Sequence, residues 1–296
     1  MTFSGYIRPG RKLRTGRWCP YCRASLEGVL RLLDAHTGSH AEVKPARPGL
    51  LRVCAHVPGD APGDAGASGA TALRVLLVAD LVARVAELGN LQALTVLVTS
   101  DEFAERMSAL ESAASALGIH PPAGRARSGN APALPGGAAD IYVVSSGVDV
   151  HDAQSGVVTR VGDAFTHGTG AHGRGAAYPL TADEHDPLAI RLALMSFRLH
   201  QPADLTDRVV TDARETVRDW RRRVARWAES PSKPIPAHLA EAVQAAFGDL
   251  DTPSVMALLH GLAHDDNVPA GAKFETFVYV DRVLGLDLPS EIGKSA

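Results

Sequence analysis

A chain of 296 residues is long enough for one large α/β domain or two smaller ones, and long enough to bury a core without disulfide staples. Hydrophobic residues at 45% and charged residues at 21% argue against disorder of the whole chain, and a formal net charge of -3 argues against a uniformly basic surface for long nucleic acids. No apolar run reaches the roughly 18 residues of a membrane helix and the first residues lack a secretory apolar core, so the expectation is a cytoplasmic protein without membrane contact.

Residues 1–28 form a basic, cysteine-containing N-terminal extension. Arg8, Arg11, Lys12, Arg14, Arg17 and Arg23 surround the run Trp18-Cys19-Pro20-Tyr21-Cys22, with no acidic residue among them. From Val29 the sequence alternates as a strand through Leu30 and Leu32 to a turn at His36-Thr37-Gly38. It resumes as a second strand from Gly49 to Val57. A Gly/Ala/Pro-rich loop is expected from Pro58 to Gly69, then a helix over Ala72 to Leu88 that stops at Gly89.

Leu94 to Thr99 is β-branched, short and bounded by polar residues, as a buried parallel strand should be. Strand, helix and strand make a βαβ unit. Phe103 to Leu117 reads as a helix, Pro121 to Gly137 as a loop with too few large apolar residues to build core, and Ile141 to Val144 as a further strand. Val148 to Val161 offers one or two more strands. After the Gly- and His-rich run 167–175, helical patterns occupy Pro187–Phe197, Asp207–Trp227, Ala237–Phe247, Thr252–Leu262 and Lys273–Leu284, an all-α half. Asp186 and Asp251 stand where caps belong, each ahead of a first-turn proline. The expected architecture is α/β: a Rossmann-like parallel sheet over 29–178, followed by an α-helical domain over 179–296.

Leu30 to Gly38 with Pro48 to Cys54, Phe103 to Pro122, His185 to Leu194 and Asp249 to Pro253 occur in the order of comparable segments in one known family. The chain resembles a shortened paralogue of the class I cysteinyl-tRNA synthetases and the related cysteine ligases of mycothiol synthesis. That resemblance implies a class I catalytic core, ATP as co-substrate, and a zinc ion that binds the substrate thiolate through a cysteine at the place of Cys54.

The family's signatures are altered here. Its His-Ile-Gly-His motif, whose imidazoles grip ATP phosphates beside helix N-terminal amides, is replaced by Gly63-Asp64-Ala65-Gly66. Its Lys-Met-Ser-Lys-Ser loop falls on Asp163 to Gly175, which contains no lysine. No cysteine follows Cys54, so the family's zinc set cannot be completed as usual. The resemblance therefore implies a pseudo-synthetase whose cleft, lined by Gly63, Asp64, Gly66, Gly69 and Arg174, keeps a nucleotide or aminoacyl-adenylate-like ligand. The alternative is an active ATP-dependent cysteine ligase using replacement residues.

Four local patterns stand apart from that reading. Cys19 and Cys22 have the spacing of half a zinc ribbon or a redox pair. With Cys54 and His56 they make a candidate Cys3His zinc site, against which stands the reading of free thiols on a mobile arm. The basic arm, and Arg218, Arg221, Arg222, Arg223 and Arg226 on one helix, are candidate contacts for an RNA or protein partner, weighed against an ordinary solvated face. The Gly168-x-Gly170-x-x-Gly173 pattern lacks the flanking strand and helix of a dinucleotide fingerprint. Asp60, Asp64 and Asp80 are candidates for acid/base work, weighed against helix capping.

Overall fold

The structure is a computed structural model that describes residues 30–57, 65–99, 107–127, 137–146, 148, 156–167 and 186–294. A short antiparallel hairpin, β1 (Arg31–Leu33) with β2 (His40–Glu42), opens it. Asp34 closes the hairpin turn by accepting from the amides of His36 and Thr37, and it also accepts from Val158, which ties the hairpin to the main sheet.

The main sheet has five parallel strands: β3 (Leu50–His56), β4 (Gln92–Thr99), β5 (Gly124–Arg127), β6 (Ile141–Ser145) and β7 (Val157–Val161). Their lateral order is β5-β4-β3-β6-β7. The chain thus runs outward from the central β3 to one edge, then returns to the other side of β3, which is the strand order of a Rossmann-like sheet. Burial explains the sequence of the middle strands. Leu51 to Ala55 and all of β6 are buried, so both faces must be apolar and the strands read as continuous hydrophobic runs.

Two corrections concern the loops flanking these strands. The expected loop Pro121–Gly137 contains β5, an edge strand whose Gly-Arg-Ala-Arg sequence carries no apolar signal because none of its residues is fully buried on either face. The expected loop Pro58–Gly69 is already helical from Ala65, as α1 (Ala65–Leu88) begins one and a half to two turns early. Next comes α2 (Met107–Ala116) after β4.

From Ala70 to Ala83 every residue of α1 is buried, because the sheet packs on one side and α2 and later helices on others. Such a position suits apolar residues, yet it holds Arg74 and Asp80. Arg74, fully buried, donates through Nη1 to the carbonyls of Gly162 (2.8 Å) and Gln201 (2.5 Å) and through Nη2 to that of Arg198 (2.9 Å). Gly162 has no room for a side chain, since a Cβ would run into the backbone of Gln201.

The second half is helical, with one correction. β8 (Ala164–His167) pairs in parallel with β9 (Ala203–Thr206), so a strand interrupts the expected all-α half and binds it to the chain segment leaving the sheet. The helices are α3 (Pro187–Met195), α4 (Asp207–Trp227), α5 (Ala237–Gly248), α6 (Thr252–His264) and α7 (Ala270–Leu284), followed by a 3-10 turn at Leu288–Glu291. Asp186 and Asp251 cap α3 and α6 as their positions ahead of proline predict. In α4 the buried residues Val210, Ala213, Val217, Trp220, Val224 and Trp227 recur every three or four positions. Trp220 and Trp227 meet the Phe277 ring of α7 edge-on at 5.7 and 5.1 Å. One continuous cluster of buried apolar side chains runs from α1 and the sheet through α3, α4, α6 and α7.

Candidate ligand crevice at the strand ends

In open parallel sheets, ligands bind beyond the carboxyl ends of the strands where neighbouring connections diverge. Here that point lies between β3 and β6: β3 continues toward β4 and β5, whereas β6 continues toward β7. The residues delivered to it are His56 and Val57 from β3 and Ser145 and Ser146 from β6, with Thr99 of β4 and Gly162-Asp163 after β7 on either side.

His56 and Cys54 are two positions apart on β3 and share the sheet face away from α1. That face carries its own apolar cluster of Cys54, Val96, Val98, Ala139, Tyr142, Val144 and Val158. In the strand register His56 lies between Val98 and Val144, and its ring centroid is 6.3 Å from that of Tyr142. Its Nε2 is buried and has no hydrogen-bond partner among the described residues. Burial pushes its pKa down to about 4, so the ring is neutral at pH 7. One strand over, Ser145 Oγ is likewise buried and unpartnered, on the α1 face of the sheet. Both orphaned atoms belong to residues at the carboxyl ends of their strands.

The charged groups nearby are committed. Arg160 donates to the carbonyls of Ser146 (3.1 Å) and Val148 (3.0 Å), and Arg74 is held by the carbonyls already named. Ser146 Oγ donates to Asp163 at 2.7 Å. Arg127 ends β5, two strands from β3 and so about 10 Å away laterally.

The residues singled out from the sequence fall unevenly on this site. Gly66 and Gly69 lie in the first turns of α1, the helix that follows β3. Gly63, Asp64 and Arg174 lie outside the described residues, as do Cys19, Cys22 and the glycine-rich run 168–173. Cys54 is fully buried in the apolar cluster, and burial pushes its thiol up to about 12, holding it protonated. Among the described residues no group of three His, Cys, Asp or Glu side chains could hold a metal ion. Asp60 is outside the described residues, and Asp80 is neither a cap nor near the crevice: it sits midway along α1 in an ion pair with Arg191.

Two members of the arginine row on α4, Arg221 and Arg223, are occupied internally, whereas Arg218, Arg222 and Arg226 are exposed. Arg221 donates to Asp186 (3.0 Å) and to the carbonyls of Leu286 and Asp287, and Arg223 to Asp219 and the carbonyl of Ala263. Arg222 is mostly exposed and pairs with Asp219 at 3.5 Å. A groove of about 620 Å³ along α4, lined by Glu215, Arg218, Asp219, Arg222 and Glu291, mixes both signs of charge. Sequence reading missed His56 as an orphaned group, Ser145, and the hub Arg74. Of these, only Arg74 gave a signal, as a charge in the mostly apolar first half of its helix.

Fold and site together define a Rossmann-like α/β protein whose strand order reverses between β3 and β6, with a packed helical half. No helix among the described residues is long and apolar enough to cross a membrane. No protein-family profile matches the chain. A stretch of 105 residues is 33% identical to the L-cysteine:1D-myo-inositol 2-amino-2-deoxy-alpha-D-glucopyranoside ligase of Thermobispora bispora. The match covers 36% of this chain and spans a quarter (25%) of the length of that ligase.

Proposed function

We propose that this protein is a ligase-like pseudo-synthetase: it binds a nucleotide or an aminoacyl-adenylate-like molecule at the ends of β3 and β6 and does not activate cysteine with ATP. The partial similarity to a cysteine ligase and the Rossmann-like strand order support the ancestry. The observation that carries the loss of activity is the sequence leading from β3 into the first turn of α1. There Gly63-Asp64-Ala65-Gly66 stands where the ligases it resembles place two phosphate-gripping histidines. Without those donors, and with a carboxylate added, a triphosphate's charge is less well compensated.

Zinc is left out of this reading. Its thiolate ligand would be Cys54, and a cysteine walled by Val96, Val98 and Val144 suits a protonated core thiol better than a metal-bound one. A role in RNA binding through α4 is also left out, because Arg221 and Arg223 spend their donors within the fold and the exposed Arg218 and Arg222 share their groove with Glu215, Asp219 and Glu291.

Pyrophosphate exchange tests the proposal. Purified protein with ATP, magnesium, cysteine and labelled pyrophosphate should return no label to ATP above the rate without cysteine. Cysteine-dependent exchange would establish an active ligase with replacement residues instead.

A further inference from the structure

We infer that the solvent face of α4 is an interface between two copies of this chain, the helix lying antiparallel against its own image about a twofold axis. Arg208, Glu215, Arg222 and Glu229 recur at intervals of seven, so they line one stripe of the helix and the turn that follows it, and all four are exposed. Their charges alternate along the stripe, and Arg218 and Asp219 stand at its centre. Among the described residues Glu215, Arg218 and Glu229 make no ion pair. Arg222 and Arg208 make only long ones, to Asp219 at 3.5 Å and to Asp212 at 3.7 Å.

An antiparallel pair whose twofold falls between Arg218 and Asp219 sets Arg208 opposite the partner's Glu229, Glu215 opposite the partner's Arg222, and Arg218 opposite the partner's Asp219. Every one of these contacts joins opposite charges, and the symmetry repeats each of them. The alternatives are penalised. A parallel pair sets Arg208 on Arg208 and Glu215 on Glu215. Slipping the antiparallel pair by one interval sets Arg208 on Arg222 with Glu215 on Glu215 in one direction, and Glu215 on Glu229 with Arg222 on Arg222 in the other. The groove of about 620 Å³ along α4, bordered by Glu291, leaves this face open to a partner helix. Because the charges of the stripe cancel, two copies approach without net repulsion, whereas a uniformly acidic or basic partner meets as many like charges as opposite ones. Exposed ion pairs make such a dimer weak and sensitive to salt.

Sedimentation velocity of the whole protein from about 5 to about 500 μM, at low salt and at about 0.5 M sodium chloride, tests this. Wild type should show a concentration-dependent dimer at low salt, with its Kd raised about tenfold or more by the added salt. Glu215→Arg and Arg222→Glu each set like charges face to face, and each alone should weaken the dimer by about tenfold or more. Mixed with one another, the two variants restore opposite charges at both contacts. The mixture should therefore associate within about threefold of wild type, as should a chain carrying both changes. Should either variant not fold by circular dichroism, Arg208→Glu and Glu229→Arg make the same comparison at the outer contact. Wild type that stays monomeric at low salt to the highest concentration would overturn the inference. So would a dimer indifferent to salt or to the single changes, or two single variants that do not associate on mixing.

Discussion

Arg191 and Asp80 meet at 2.7 Å with both side chains withdrawn from solvent, although 111 positions separate them in the chain. Asp80 belongs to the helix that follows the central strand, and Arg191 to the first helix of the second half. Arg191 also donates to the carbonyls of Leu284 (2.5 Å) and Leu117 (3.1 Å), while Asp80 accepts from Arg84 (2.8 Å) and the amide of His120 (3.1 Å). Gly285, in the left-handed region at φ 62°, gives these guanidinium groups room, since a Cβ there would lie 3.1 Å from both Arg191 and Arg84. The ion pair thus joins α1, α3, the end of α2 and the end of α7.

Asp80→Asn is therefore expected to cost about 3–5 kcal/mol in urea unfolding at pH 7, because it strands the Arg191 charge in the interior. Burial alone would raise the Asp80 carboxyl, but Arg191 and Arg84 outweigh it and hold the group below the usual carboxylate range. Its contribution is thus complete above the unfolded value of about 3.9 and is lost as pH falls through the lower folded value. The variant should show a shallower acid limb. Equal stability of variant and wild type at pH 7 would mean that the pair does not bind the halves together.

The expectation for Cys54 follows from its burial. In folded protein it should resist iodoacetamide and react at the rate of global unfolding. With a folded pKa of about 12 against an unfolded value near 8.5, the folded state holds the proton that the unfolded state releases between those values. Stability from this residue should therefore decline as pH rises above about 8.5. Metal analysis provides the counter-test: stoichiometric zinc that disappears in Cys54→Ser would restore the Cys3His site with Cys19, Cys22 and His56.

Within the arginine row of α4 the two roles separate by substitution. Arg221→Ala removes donors to Asp186, Leu286 and Asp287 and should lower stability by about 1–3 kcal/mol, whereas Arg222→Ala should stay within about 0.5 kcal/mol. Chemical denaturation measures both. The opposite ranking would reopen α4 as a basic interaction face.

The fold was legible where burial writes a pattern. Leu51–Ala55 and Ile141–Val144 announce central strands because both faces are covered, and α4 announces itself through its spaced apolar stripe. Gly124–Arg127 did not, because no residue of it is fully buried, and Ala203–Thr206 did not, because its alternation of buried Ala203 and Leu205 is too short to stand out. The start of α1 was obscured by small residues that suit loop and helix alike. At the site, the position of His56 beside Cys54 was visible, but not that its Nε2 would be sealed between Val98 and Val144. That depends on three strands brought into register from positions over 40 residues apart.

The location of the ligand is the claim on which the functional account turns, and amide hydrogen exchange with a non-hydrolysable cysteinyl-adenylate analogue measures it directly. Added ligand is expected to slow exchange in residues 53–57 at the end of β3 and 142–146 at the end of β6 and to leave α4 unchanged. Protection confined to the α4 groove, or none at saturating analogue, would contradict it.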